Sequence, residues 1–167
     1  MVKAAQNLEK GGADFVMICT NTMHKMAKEV QDSINIPLFY IVDPTGEAIK
    51  AAGVTKIGLL GTKFAMEHDF YKGRLNSELG LEVVVPNDTD RQIIHDIIYD
   101  ELCLGIIRED SKKQYQEIIK KLKLEGAQGV ILGCTEIMLL INQTDTDLPI
   151  FDTTRIHAEA AVERAVR

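Results

Sequence analysis

The chain of 167 residues has no apolar run long enough to span a bilayer; its longest runs are strand-sized and end in Gly, Thr, Pro or Asp. No membrane partner is expected, and the protein should be soluble. It also lacks a basic stripe interleaved with aromatics, and its net charge of −6 is spread along the chain. Nucleic acid is therefore not an expected partner. Cysteines are few, three in number and widely spaced. With no export signal, an odd count predicts reduced thiols and excludes a disulfide framework. The opening "MVKAAQNLEKGGAD" reads as an amphipathic helix ending at Gly11 and Gly12, without the basic start, apolar centre and cleavage site of a signal peptide. A cytoplasmic location follows as an expectation. His24, His68, His95 and His157 form no H-x-x-x-H or C-x-x-C spacing, so no metal is expected. The "GLLGT" run lacks the second glycine and the lysine of a phosphate loop.

What is present is alternation. Strand-like runs at 15–20, 37–41, 56–61, 81–85, 129–134 and 149–152 are separated by helical periods at 22–32, 44–52, 64–79, 89–103 and 111–125. This pattern predicts an α/β fold with mostly parallel strands. Near-continuous apolar strands fit a sheet covered by helices on both faces. Weak boundaries at 51–53 and near Pro149 divide the chain into a first lobe, 1–50 plus 151–167, and a second lobe, 51–150.

An internal repeat runs through it. Gly12-Ala13, Val16, Cys19-Thr20, Met23, Pro37-Leu38-Phe39, Asp43, Thr45 and Ala48 recur in order as Gly126-Ala127, Val130, Cys134-Thr135, Met138, Pro149-Ile150-Phe151, Asp152, Thr154 and Ala158. Two βαβ units resemble one another generically. Here both copies put Cys-Thr at a strand's carboxyl end, where open α/β sheets bind ligands.

A thiol at the start of a helix is expected to gain thiolate character from the helix dipole and unpaired N–H groups. If the repeat reflects a pseudo-two-fold axis, Cys19 and Cys134 face each other across a cleft. One can remove a proton from a carbon while the other delivers one to the opposite face. This is the geometry of cofactor-independent racemisation or epimerisation.

The strings "ICTNTMHK", "IGLLGT" at 57–62, "YDELCLG" at 99–105, "ILGCTEI" at 131–137 and "FDTTRIHAEAA" at 151–161 together resemble the aspartate/glutamate racemase family, which acts without pyridoxal phosphate. The resemblance covers essentially the whole chain. It implies a two-lobed pseudo-symmetric α/β fold, Cys19 and Cys134 as acid/base residues, an amino acid substrate, no cofactor and a possible homodimer. Asn21, Thr22, Gly61 and Thr62 would hold the substrate α-carboxylate, with Thr135 doing likewise beside the second cysteine. Other activities of the superfamily, maleate isomerase or hydantoin racemase, are rivals.

Two departures stand out. Family members usually open with a strand and a turn like "IGLLGGMS", and this chain starts at the helix before the first cysteine strand. The first lobe is therefore expected to be truncated, with an apolar edge exposed. A fragment that only binds small carboxylates is the reading from a different class. Secondly, where racemases for acidic amino acids tend to carry a lysine, this chain has Leu104. A leucine leaves a side-chain carboxylate unpaired, so uncharged substrates such as homoserine or methionine are expected.

Other residues receive plainer readings. Cys103 is expected in the core, and His24 on a helix surface unless it tunes Cys19. Glu136 either orients the substrate amino group or caps the following helix, and its charge would raise a neighbouring thiol's pKa. Asp43 and Asp152 are helix caps as readily as site residues. The charged helix at 110–126 needs no role beyond a solvated face.

Overall fold

A computed structural model describes residues 1–166. Six strands alternate with eight α-helices among these residues: α1 (Val2–Lys10), β1 (Val16–Met17), α2 (Ala27–Gln31), β2 (Leu38–Phe39), α3 (Val42–Ala51), β3 (Lys56–Gly61), α4 (Lys63–Glu67), α5 (Asp69–Ser77), β4 (Glu82–Val84), α6 (Asp88–Asp96), α7 (Glu109–Leu124), β5 (Val130–Gly133), β6 (Ile150–Asp152) and α8 (Thr153–Ala165). All pairings are parallel, in a two-stranded sheet β1-β2 and a four-stranded sheet β4-β3-β5-β6. The α/β class expected from alternation is the one observed. No helix among the described residues is long and apolar enough to cross a membrane.

β3 and β5 lie in the middle of the larger sheet, and their residues from Ile57 to Gly61 and from Val130 to Gly133 are buried. Helices contribute Tyr71, Leu75, Ile94, Tyr115, Ile118 and Leu122 to the same core. A smaller cluster of Ala5, Val16, Val30 and Ile34 holds α1 and α2 on the short sheet.

The repeat is visible in hydrogen bonds. Val16 pairs with Leu38 and its N–H donates to Pro37 O; Val130 pairs with Ile150 and its N–H donates to Pro149 O, both at 2.9 Å. Each copy is entered from a helix through a left-handed glycine, Gly12 at φ 88° and Gly126 at φ 95°. A side chain would be strained at either position, so glycine ends the helix and starts the strand.

Several elements depart from simple periodicity. The stretch expected as one helix at 64–79 breaks at His68, whose extended backbone ends α4 and begins α5. The helix expected at 89–103 passes from α6 into a π-helical turn, Ile97–Glu101, and a 3₁₀ turn, Leu102–Leu104, that ends at the left-handed Gly105. That change of winding buries Leu102 and turns Cys103 out to solvent, correcting the core placement expected for this thiol. β6 spans the boundary drawn at 150/151 and bonds to β5, while α8 after it packs mainly on α3.

Candidate active site

The carboxyl ends of β3 and β5 are matched in register, Gly61 opposite Gly133. A Cβ on Gly61 would lie 2.9 Å from the Gly133 carbonyl oxygen, so the two strand ends approach as only glycines allow. The next residues along this edge are Thr62 and Cys134. Thr62 caps α4 by accepting the Ala65 N–H at 3.3 Å.

The Cys19 corner is tied to this edge twice. Thr22 Oγ1 lies 2.9 Å from Thr62 Oγ1. Asn21, 2 % exposed, donates from Nδ2 to Thr153 Oγ1 at 2.9 Å, and Thr153 donates to Leu132 O at 2.8 Å. Because Thr153 commits its one proton to Leu132, it must accept from Asn21, which fixes the amide's orientation. Asn21 Oδ1 is then a buried acceptor with no donor among the described residues. Cys19 itself is exposed, just beyond these anchors.

His24 sits behind the corner and is 1 % exposed, not the surface residue its helical setting suggested. The Ile41 N–H donates to Nε2 at 3.1 Å, so Nδ1 carries the proton and donates to Thr20 O at 2.7 Å. Burial, with the nearby His157 adding to it, lowers the His24 pKa to about 4 despite the bond to Thr20. Tyr40 lies tilted against it with ring centres 4.5 Å apart and donates to the His24 carbonyl at 3.2 Å.

At the second corner the Cys134 thiol donates to Glu136 Oε2 at 2.9 Å. Burial first, then that hydrogen bond and the Glu136 charge, push the thiol pKa far upward. This reverses the expectation of a helix-start thiolate: the helix after Cys134 is a single 3₁₀ turn, Ile137–Leu139, too short to outweigh desolvation and a carboxylate. Burial works to raise Glu136, yet hydrogen bonds from Cys134, Thr135 and its own backbone prevail and lower it. Cys103 and Tyr99 lie within electrostatic range of this corner.

The structure thus gathers Asn21, Thr22, Gly61 and Thr62 with Thr153, and groups Cys134, Thr135 and Glu136 with Cys103 and Tyr99. Leu104 adjoins Cys103 but is 68 % exposed. Asp152 is a cap, accepting the N–H groups of Thr154 and Arg155, and Asp43 is paired with Arg74. Thr153 escaped the sequence reading; its signal was the hydroxyl directly after the Asp152 cap, at the start of a helix leaving the same sheet edge.

Two cysteine corners on repeated strands of a parallel α/β fold, one with its thiol donating to a carboxylate, are the features that this site brings together. The chain belongs to the Asp/Glu/hydantoin racemase family, whose model matches residues 1–161. It superposes with a TM-score of 0.95 on a Yersinia pestis crystal structure described as a candidate Asp/Glu racemase, at 51 % identity, covering 99 % of this chain and 72 % of that one. An aspartate racemase homologue from Pyrococcus horikoshii OT3 gives a TM-score of 0.89 at 41 % identity, covering 99 % and 73 %. The broad specificity amino-acid racemase RacX of Bacillus subtilis strain 168 is 25 % identical over 166 residues, 97 % of this chain and 69 % of that protein.

Proposed function

We propose that the protein is an amino acid racemase that inverts Cα with Cys19 and Cys134 as a cofactor-independent acid/base pair. The observation that carries this reading is the double tie of the Cys19 corner, through Thr22 to Thr62 and through Asn21 and Thr153 to Leu132, onto the sheet edge that bears Cys134.

Cys134 starts as the acid, because its proton is held against Glu136. Cys19 receives the Cα proton, and the roles exchange in the reverse direction. A substrate ammonium beside Glu136 would offset the carboxylate that holds the thiol pKa up, bringing Cys134 into a workable range only when the site is filled. Asn21 Oδ1 offers the same ammonium an acceptor. Backbone N–H groups at Asn21, Thr62 and Thr135 would hold the α-carboxylate and the enolate-like charge that develops as the proton leaves. The carboxylate of Glu136 and the leucine at 104 favour uncharged side chains such as those of homoserine and methionine over aspartate or glutamate.

The test is NMR in deuterated buffer, following deuterium into Cα of L-homoserine, L-methionine, L-aspartate and a 5-substituted hydantoin. Exchange into the neutral amino acids is expected, falling by about 10²–10⁴-fold in Cys19→Ser and in Cys134→Ser. Exchange confined to the hydantoin would move the protein to the rival activity, and exchange indifferent to either serine would sink the two-thiol mechanism.

A further inference from the structure

His24 lies one turn beyond Cys19, is sealed from solvent, and takes no part in the proton transfer just described. Its neutral ring makes two bonds at once, Nδ1–H to the Thr20 carbonyl at 2.7 Å and Nε2 from the Ile41 N–H at 3.1 Å. The first is the shorter, and it grips the peptide that directly follows the Cys19-Thr20 pair. The His24 N–H also donates to Asn21 O at 3.1 Å, so the turn is closed from both the ring and the backbone.

The consequence follows from peptide geometry. The Thr20 carbonyl and the Asn21 N–H belong to one peptide unit, and the chain contains no cis bonds among its described residues. Across a planar trans unit the two groups point in opposite directions. A carbonyl drawn inward to His24 therefore sends the Asn21 N–H outward, away from the imidazole. The ring cannot swing to release it, since Tyr40 lies against it at 4.5 Å and His157 closes it at 6.1 Å between ring centres. Ile41, at the other nitrogen, is the N-cap residue of α3, two residues past β2, so the buried start of that helix is the anchor.

We propose that His24 is the positioning residue of the Cys19 corner: by pinning the Thr20 carbonyl it aims the Asn21 N–H at the substrate carboxylate and holds Cys19 in line with Cα. The proposal rests on the racemase reading of the same corner and extends it to a residue that never touches substrate.

The experiment compares His24→Asn, whose short amide can place an N–H near the Nδ1 position, with His24→Gln, whose longer amide reaches the Nε2 position instead. Cα deuterium exchange is measured for both. In parallel, the Asn21 amide is followed by ¹⁵N–¹H NMR as L-methionine is added. His24→Asn is expected to keep kcat within about tenfold of the parent, while His24→Gln loses about 10²-fold in kcat with a smaller change in KM. The Asn21 amide should respond to L-methionine in the parent and in His24→Asn, and fail to respond in His24→Gln. A fully active His24→Gln overturns the proposal, as does an Asn21 amide that ignores the ligand in the parent. Should either variant not fold, the ring ¹⁵N spectrum of the parent decides: an Nδ1–H tautomer supports the pinned carbonyl, and an Nε2–H tautomer overturns it. A parent that shifts its Asn21 amide yet exchanges no deuterium sinks the racemase reading and leaves the positioning geometry standing.

Discussion

Thr22 and Thr62, 40 residues apart in sequence, meet hydroxyl to hydroxyl at 2.9 Å and join the Cys19 corner to the cap of α4. Thr62 already accepts from the Ala65 N–H, so one oxygen serves both the helix start and the junction.

Thr62→Val keeps the shape and removes both bonds. Loss of the cap is expected to cost about 1 kcal/mol of stability, and loss of the junction should lower kcat/KM by about tenfold or more. Thr62→Ser should restore both. Thermal melts read beside exchange kinetics check this; a valine variant that is destabilised yet fully active would show that the junction has no catalytic part.

Glu136→Gln should lower the Cys134 pKa, because it removes the charge and weakens the acceptor that work with burial to hold it up. Alkylation of Cys134 by iodoacetamide, followed against pH in a chain with Cys19 and Cys103 replaced by serine, should move to lower pH. An unchanged profile would mean that burial alone keeps the thiol protonated.

Acid should destabilise the fold through His24. Above its ordinary value of 6.5 the ring is neutral in both folded and unfolded chains; below it the unfolded chain takes a proton that the folded protein refuses until about pH 4. Stability therefore falls as pH falls across that window, by about 3 kcal/mol when complete. His157, lowered by burial as well, adds in the same direction, while Asp43 works against both. Urea midpoints compared near pH 7 and near pH 4.5 should drop less steeply in His24→Asn than in the parent; equal slopes would contradict a neutral buried ring.

Gly61→Ala should be destabilising by about 1–3 kcal/mol, since the added methyl meets backbone, the Gly133 carbonyl at 2.9 Å, and neither strand end can move aside without breaking the sheet. Gly73→Ala, whose Cβ would meet only ordinary contact at 3.6 Å, is the control and should be neutral or stabilising. Equal melting temperatures for the two would mean that the β3 and β5 ends are less tightly held than their register implies.

The strand runs around Val16, Leu38, Ile57, Val83, Val130 and Ile150 were all legible, because β-branched apolar residues between turn signals have few other places to go in an α/β chain. The cysteines were legible as corners for the same reason: each ends an apolar strand and begins a polar turn. Their ionisation was not. For Cys134 the helix-dipole argument pointed down, and burial with Glu136 pointed up and won. Cys103 looked internal while its helix was taken as regular, and the π turn before it undid that phase.

By itself, then, the sequence determined the order of elements, their parallel pairing and the positions of the thiols, all of which follow from local periodicity and a repeat within the chain. Tertiary structure alone decided which polar groups meet: Asn21 with Thr153 across 132 residues, Thr22 with Thr62 across 40, and His24 with Ile41 in the protein interior. The physical reason is one of range. Hydrophobic periodicity is read within a turn or a strand, whereas a buried hydrogen bond forms only where packing brings its two partners together and excludes water.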